Sequence, residues 1–248
     1  MPRIKFMNTE IDNLTMQETL QAIDQLIQED KSAYVVTPNV DHIVQLETNK
    51  ELQAVYENAA LILTDGKPLM WIANWYGTPI KEKISGSDLF PVLCDMANKK
   101  EYKMFFLGAA EGVAAKAADK LEQRFKGLQV AGTYSPPIGF ENDLEELEKI
   151  KNIIKTAKPD ILIVGLGCPK QEKFMYHHCK ELGVPISLGL GASLDFEAGN
   201  IKRAPRWMSD HGLEWLFRIT QDPKRMVKRY LVDDIKIFRL AIKYRWRK

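Results

Sequence analysis

"KPDILIVGLGCPKQE", residues 158–172, decides the fold class of this chain. Its first part, "DILIVGLG" (160–167), is a near-continuous apolar run of the kind that forms strands covered on both faces of a parallel sheet. A helical pattern over residues 170–182 follows it directly. A buried strand followed at once by a helix predicts one unit of an α/β fold.

The same alternation runs along the chain on both sides of this stretch. Further strands are predicted at 33–37, 60–64, 103–108, 128–134 and 185–191, and further helices at 15–29, 40–58, 67–76, 87–99, 111–126 and 143–157. We therefore predict a Rossmann-like layered α/β fold with a mainly parallel sheet and right-handed crossovers. Ligands of such sheets bind beyond the carboxyl ends of the strands, so the loops there are the place to look for chemistry.

Composition limits the class of protein. The chain has 248 residues, of which 45% are hydrophobic and 27% charged, as in an ordinary globular protein. Its start, "MPRIKFMNTEIDNLT", lacks the apolar core of a secretory signal, and no stretch reaches the roughly 18 apolar residues of a membrane span. Cys94, Cys168 and Cys179 are odd in number and lack metal-ligand spacing. Reduced thiols in a cytoplasmic protein are expected.

Charge is distributed unevenly along the chain. Residues 201–248 hold 14 Lys/Arg and 5 Asp/Glu, a balance of +9, whereas the first 200 residues hold 21 basic and 28 acidic residues, a balance of −7. The strand pattern also stops here. We predict an α/β catalytic core over 1–200, which could form two lobes joined near 135–143, and a helical appendage over 201–248 that meets something anionic.

"TDGKP" (64–68) places a carboxylate between a strand and a helix. Asp65 could accept a hydrogen bond from the first amides of helix 67–76, with Pro68 in its first turn. Equally, a carboxylate at the end of a strand can take a proton from a bound hydroxyl group. The residues alone leave these two alternatives even.

Other strand ends also carry polar side chains. In "TPNVDH" (37–42), Thr37 and Asn39 could face a polar ligand, although the pattern favours helix capping by Asn39 or Asp41. In "VGLGCPKQE" (164–172), Lys170 and Gln171 stand at a helix start that could bind a diphosphate or a sugar, or could equally be a solvated helix N-terminus. In "LDFEAGN" (194–200), a pair of carboxylates without a nearby histidine is a weak metal site, so we predict no metal.

The C-terminal stretch "DPKRMVKRYLVDDIKIFRLAIKYRWRK" (222–248) has the pattern of an amphipathic basic helix. Its apolar residues at helical spacing are Val227, Tyr230, Leu231, Ile235, Phe238, Ala241 and Ile242. Three interpretations are possible, in this order of preference. The helix could bind an anionic membrane surface, it could pack on the core with a solvated basic face, or it could bind nucleic acid. No nucleic-acid-binding motif supports the last.

The motifs taken together resemble the WecG/TagA/CpsF family of bacterial glycosyltransferases. The resemblance covers about residues 4–231 and is carried by an ordered set: "TPNVDH", "TDGKPLMW", "SGSDLF", "FLGAAEGVAAKAADKL", "YSPPIGFE", "GLGCPKQE", "LDFEAGNIKRAPRWM" and "GLEWLFRITQDPKRMVKRY". Each motif is weak alone, but eight in the same order are specific.

The resemblance implies an inverting, metal-independent transferase without a cofactor. It would move N-acetylmannosamine (ManNAc) from UDP-ManNAc to the C4 hydroxyl of undecaprenyl-diphosphate-linked N-acetylglucosamine (GlcNAc), forming the linkage disaccharide of wall teichoic acid. The alternatives are the uronic acid of that sugar as donor, as in the WecG branch, and a regulator that binds a nucleotide sugar without catalysis. The family further implies a cytoplasmic protein held peripherally on the inner face of the membrane, a homo-oligomer in solution, and no nucleic-acid partner.

Site residues follow from the resemblance position by position. Asp65 matches the proposed general base. Thr37 and Asn39 match positions beside the sugar, and Gln171 and Asp195 match positions that line the pocket. Lys83 stands where the family often has arginine. A lysine can still neutralise a phosphate but lacks the bidentate fork of a guanidinium.

With no metal, a cation must stabilise the leaving UDP. Arg218, Arg225 and Arg229 are the candidates, because their spacing of seven and four residues could place them on one helix face. We therefore expect the appendage to complete the site while its apolar face rests on the membrane.

Overall fold

A computed structural model describes residues 3–246, except for the side chains of Arg206, Asp210 and Arg225. The strands are β1 Arg3–Phe6, β2 Thr9–Asp12, β3 Ala33–Val36, β4 Leu61–Ile62, β5 Lys103–Gly108, β6 Gln129–Tyr134, β7 Ile161–Gly165 and β8 Ile186–Gly189. The helices are α1 Met16–Glu29, α2 Val40–Leu46, α3 Lys50–Glu57, α4 Lys67–Trp75, α5 Gly86–Lys100, α6 Val113–Arg124, α7 Leu144–Ala157, α8 Lys170–Leu182, α9 Ser193–Ala198, α10 Arg206–Asp210, α11 Glu214–Gln221, α12 Pro223–Lys228 and α13 Lys236–Arg245.

Six strands form one parallel sheet in the order β4-β3-β8-β7-β5-β6. The predicted layered α/β fold is confirmed. Alternate residues of β7 enter two different clusters, Leu162 and Val164 in one and Ile161 and Ile163 in the other. Both faces of the sheet are thus covered, which is why its strands are apolar without alternation.

A two-stranded antiparallel hairpin, β1-β2, precedes the sheet and was not predicted. It buries Phe6 and Ile11 completely. The Asp12 carboxylate pairs with Arg3 at 2.9 Å and accepts a hydrogen bond from the Ile62 amide at 2.8 Å, so the hairpin is attached to the edge strand β4. Four-residue strands rich in charge give little sequence signal.

Two predicted helices are interrupted. The helix predicted over 40–58 is wrong as a single element, because α2 ends at Leu46 and Asn49 caps a second helix, α3. The C-terminal pattern is divided as well: α11 ends at Gln221, α12 begins at Pro223, and a π-helical turn over Arg229–Asp233 precedes α13. Arg218 and Arg229 therefore belong to different elements, and the expectation of one continuous helix face is wrong.

The C-terminal segment, residues 201–246, packs against the core beside α2 and α4. Ile237, Leu240 and Ala241 of α13 are buried in the same cluster as the sheet face. The Tyr76 hydroxyl donates to the Ala241 carbonyl at 2.6 Å, and the Tyr244 hydroxyl donates to Glu47 at 2.9 Å. The division of the chain at residue 200, with one or two lobes before it, stays a prediction.

Within residues 3–246, no helix combines the length and the apolar character that crossing a membrane requires.

Gly108 at the end of β5 fixes how closely β5 approaches β7. Its φ of +113° is in the region that favours glycine, and a Cβ atom there would lie 2.5 Å from the Gly165 carbonyl oxygen. We expect Gly108→Ala to lower the free energy of unfolding by about 3 kcal/mol, from backbone strain and overpacking together. Urea denaturation measures this loss.

Gly112, four residues further, is the matched control. Its φ is +75°, but a Cβ atom there meets nothing within 4 Å. Gly112→Ala should cost only about 1 kcal/mol, the strain of the left-handed conformation alone. Equal losses in the two variants would contradict the role of the close β5–β7 approach.

Candidate active site

Asp65 lies immediately beyond β4, at the carboxyl edge of the sheet. Its amide donates to the Pro38 carbonyl at 2.9 Å, which ties its loop to the loop after β3. Gly66 occupies the N-cap position of α4, with a φ of +108°, and no side chain caps this helix. Among the described residues the Asp65 carboxylate has no hydrogen-bond donor. The capping alternative is therefore wrong for Asp65.

The carboxylate faces a cavity of about 670 Å³ that the core and the C-terminal segment enclose together. Five of the predicted site residues line it: Asn39, Asp65, Lys83, Arg218 and Arg229. The loops after β3 and β4 provide the first two, and α11 and the π-helical turn provide the two arginines. The structure thus brings the predicted base together with cations from the far end of the chain.

Backbone contacts explain how Lys83 reaches this cavity. The Ile84 amide donates to the Thr64 carbonyl at 2.8 Å, so the segment before α5 runs beside the Asp65 loop. The Lys83 ammonium group pairs with Asp88 at 2.8 Å. Burial opposes its charge, but the hydrogen bond to Asp88 raises the pKa of Lys83 above its ordinary value. Lys83 is thus held as a cation next to Asp65.

The two arginines are held by different partners. Arg218 pairs with Glu214, one helical turn earlier, at 2.9 Å. Arg229 donates to the Asn39 side-chain oxygen at 3.3 Å and lies 3.6 Å from Asp41. Asn39 itself caps α2 through the His42 amide, as the sequence pattern favoured. One side chain thus caps a core helix and also receives the C-terminal segment.

Two carboxyl groups in the cavity have raised pKa values. Burial, reinforced by the charge of Glu214, raises the pKa of Asp65 to about 6, although Arg218 and Lys83 act in the opposite direction. Burial also raises the pKa of Asp234 to about 6, against the pull of Arg229. A carboxylate of this pKa is ionised at neutral pH and is a stronger base than an ordinary aspartate.

Part of the cavity lining is apolar. It includes Trp71 and Trp75 of α4 and Phe238 and Ile242 of α13. These four side chains keep between 50% and 68% of their surface exposed, which is high for residues of this type. The charged side chains Lys83, Arg218 and Arg229 are less exposed than these apolar ones, which therefore form the outer rim of the cavity. This arrangement suits a substrate with a polar head and a hydrocarbon tail.

Three predicted site residues lie outside the cavity lining. The Thr37 hydroxyl is buried and donates to the Gly189 carbonyl at 3.0 Å. Gln171 is also buried and accepts the Gly191 amide at 3.1 Å. Asp195 lies in α9, next to Phe196, whose ring lies 5.4 Å from the Arg218 guanidinium carbon. Arg225 cannot be placed, since its side chain is outside the described residues.

Sequence reasoning missed several residues that line the cavity. Glu214 and Asp234 were not predicted, because the strongly basic composition of residues 201–248 indicates cations at the site and not carboxylates. Trp71 follows the "TDGKP" motif and could have been found as a large apolar residue on the first turns of α4. Gly212 packs against it, since a Cβ atom there would lie 2.6 Å from the Trp71 ring. That contact fixes the loop before α11 on the core.

His42, Cys168 and Glu172 are a group that could offer metal ligands, with one ligand atom from each within 4.8 Å of the others. Both ring nitrogens of His42 already face oxygen acceptors, Nδ1 towards Asn39 at 2.9 Å and Nε2 towards Glu172 at 3.1 Å. The contact between Nε2 and Glu172 is that of a buried hydrogen-bonded pair.

A basic carboxylate, surrounding cations and an apolar rim at the carboxyl edge of a parallel sheet define an α/β enzyme site suited to group transfer. The chain matches the family model described as "Glycosyl transferase WecG/TagA/CpsF family" over residues 4–248. It belongs to this family of glycosyltransferases.

Its relatives include proteins named N-acetylglucosaminyldiphosphoundecaprenol N-acetyl-beta-D-mannosaminyltransferase. The one from Bacillus spizizenii is 32% identical over 223 residues, covering 90% of this chain and 83% of the relative. The one from Bacillus subtilis is 30% identical over 222 residues, with the same coverage. The one from Staphylococcus aureus strain MW2 is 28% identical over 226 residues, covering 90% of this chain and 87% of the relative.

The raised pKa of Asp65 predicts that the wild-type carboxylate lowers stability. Between about pH 4, the ordinary pKa of an unfolded aspartate, and about pH 6, the folded state holds a proton that the unfolded state has lost. Stability therefore falls as pH rises through this window. We expect Asp65→Asn to raise the free energy of unfolding at pH 7.5 by about 1 to 2 kcal/mol, after solvent screening of the half-buried group.

Asp88→Asn is the matched control, with the opposite sign. Burial raises the pKa of Asp88, but Lys83 and Ser85 more than offset this and hold it below the ordinary value. Its ionised form therefore stabilises the fold, and the amide should lower the unfolding free energy at pH 7.5. Urea denaturation at pH 4 and pH 7.5 compares the variants. An Asp65→Asn protein less stable than wild type at pH 7.5 would contradict the prediction.

Proposed function

We propose that this chain transfers ManNAc from UDP-ManNAc to the C4 hydroxyl of undecaprenyl-diphosphate-linked GlcNAc. The acceptor and the transferred sugar are those in the names of the relatives. The observation that carries the proposal is the cavity itself. The Asp65 carboxylate, with a pKa of about 6, lines it together with basic side chains and an apolar rim. One end suits a sugar diphosphate and the other suits a polyprenyl chain.

Asp65 is the general base of a single displacement in this proposal. Its carboxylate takes the proton of the acceptor C4 hydroxyl while that oxygen bonds to the anomeric carbon of the donor. The bond from the anomeric carbon to the UDP oxygen breaks, and UDP leaves with its electron pair. One inversion at the anomeric carbon results, and Asp65 holds the proton.

Basic side chains stabilise the negative charge on the leaving diphosphate in this proposal. Lys83, Arg218 and Arg229 line the cavity, and each has a carboxylate or amide partner that keeps it in place. Guanidinium groups match phosphate oxygens in a two-pronged geometry, whereas the lysine provides a point charge. Thr37, Gln171 and Asp195 stay predictions as substrate-binding residues.

We further propose that the C-terminal segment rests on the anionic inner face of the cytoplasmic membrane. α13 has a buried stripe of Ile237, Leu240 and Ala241 and an exposed stripe that includes Phe238 and Ile242. Basic residues surround it, so an anionic bilayer offers both apolar contact and charge attraction. The same exposed stripe would drive self-association in water, as expected for a homo-oligomer.

The direct test is transfer of radiolabelled sugar from UDP-ManNAc to a lipid-diphosphate-GlcNAc analogue. We expect wild-type turnover with kcat/KM falling as pH drops below about 6, because the base becomes protonated. Asp65→Ala should lower kcat at least about 100-fold. Equal activity of the two proteins would remove Asp65 as the base, and turnover only with the uronic acid donor would change the assigned donor. Donor binding without transfer by wild type would favour the regulator.

Glu214→Gln tests whether titration of Asp65 controls the acidic limb of the pH profile, as distinct from a general loss of activity. Glu214 raises the pKa of Asp65, so its removal should move the acidic limb of the pH profile below pH 6 while turnover at pH 8 persists. A limb that stays in place would mean that another group controls it.

The membrane proposal predicts binding to vesicles of phosphatidylglycerol. We expect Phe238→Ser with Ile242→Ser to weaken flotation with these vesicles at least about 10-fold, because two exposed apolar side chains lose their burial in the interface. Vesicles of phosphatidylcholine should bind wild type more weakly, since the charge attraction is absent.

Ile138→Ser is the control, because Ile138 is fully exposed at 102% and lies outside the C-terminal segment. Its flotation should match that of wild type. If all three proteins bound equally, the exposed stripe of α13 would not be the membrane-facing surface.

A further inference from the structure

A buried polar chain leads from the cavity wall into the core. Arg229 at the wall donates to Asn39 Oδ1 at 3.3 Å. His42 Nδ1 lies 2.9 Å from the same oxygen, and His42 Nε2 lies 3.1 Å from Glu172 Oε1. Glu172 is fully buried, and His42 retains only 4% of its exposure. Neither side chain lines the cavity, so neither can contact substrate there.

Hydrogen-bond partners define the protonation state of His42. Asn39 Oδ1 is fixed as an acceptor by two donors, the His42 amide at 3.4 Å and the Arg229 guanidinium. A proton on Nδ1 would bond to it at 2.9 Å, which is shorter than the 3.4 Å at which the backbone amide of Asn39 faces the same nitrogen. A proton on Nε2 would bond to the Glu172 carboxylate. The two acceptors together fit an imidazolium ring.

Burial of Glu172 gives an independent reason for this charge. A fully buried carboxylate needs a cationic partner or a shifted pKa, and His42 is its ion-pair partner among the described residues. Glu172 Oε1 also accepts the Gln171 amide at 2.8 Å. Burial opposes the charge on His42, but Cys168 and Glu172 raise its pKa well above the ordinary value.

We propose that His42 and Glu172 form a buried charged pair that positions Asn39 and, through Asn39, the guanidinium of Arg229 at the cavity wall. The pair is a positioning device in the core that acts on a residue of the C-terminal segment. The proposal rests on the proposed function, in which Arg229 meets the donor diphosphate. Loss of the pair should therefore raise the Michaelis constant for the donor more than it lowers kcat.

Glu172→Leu and Glu172→Gln test the pair. Leucine leaves a neutral imidazole that nothing anchors at Nε2, so the ring no longer holds its Nδ1 proton in place towards Asn39. We expect KM for UDP-ManNAc to rise about 10-fold with kcat within about 3-fold. The glutamine amide can donate to Nε2 and hold the remaining proton on Nδ1. It should restore KM to within about 3-fold of wild type.

A double-mutant cycle distinguishes positioning from general destabilisation. If Glu172 acts through Asn39, adding Glu172→Leu to Asn39→Ala should raise KM no further. Independent multiplication of the two effects would overturn the proposal. His177→Gln is the control, because His177 forms an exposed pair with Glu51 at 2.8 Å on the same helix, α8, and its loss should leave KM unchanged.

Nitrogen-15 NMR of the imidazole rings gives a measurement that needs no turnover. Wild type should show His42 with both ring nitrogens protonated at pH 7.5, and both Glu172 variants should show one. A neutral His42 in wild type would overturn the proposal even if Glu172→Leu failed to fold. If wild type transferred nothing from UDP-ManNAc, the proposed donor would fail, whereas this spectrum and calorimetric binding of UDP to the same variants would still test the pair.

Discussion

The hydrogen bond from the Asp65 amide to the Pro38 carbonyl, 2.9 Å long, is the contact on which the site depends. The edge strand β4 pairs with β3 through only two residues, Leu61 and Ile62. Two more backbone bonds, from Leu63 to β3 and from Asp65 to Pro38, continue this ladder past the strand end. Asp65, the proposed base, is therefore held by backbone geometry, and its carboxylate remains available for a substrate.

Much of the fold could be predicted from sequence because both faces of the sheet are buried. Runs such as 103–108 and 160–167 then read as strands without ambiguity, and the position of Asp65 after a strand follows from them. The break between α2 and α3 was not predictable from apolar spacing, since Asn49 caps the second helix without disturbing that pattern. The hairpin escaped because its strands are short and half charged.

Site residues that directly follow a strand could be placed from the sequence, whereas those in the C-terminal segment could not. Arg218 and Arg229 were named on a helical spacing that the structure does not contain, yet both reach the cavity, because α11 and the π-helical turn each fold back on the core. Net charge was misleading as well. Two of the five acidic residues after position 200, Glu214 and Asp234, line the cavity, so its wall is mixed rather than simply positive. Such mixing holds each cation in a fixed place, and Glu214 adds to burial in raising the pKa of Asp65.

α13 is a ten-residue helix with two separate apolar stripes. One stripe is buried on the core, and the other is exposed beside the cavity. Lys243 and Tyr244 both bind Glu47, the residue that follows α2. Nearly every turn therefore has a residue whose replacement would disturb either packing or surface contact. Substitutions should be tolerated poorly in this helix, although terminal segments of proteins usually accept them freely.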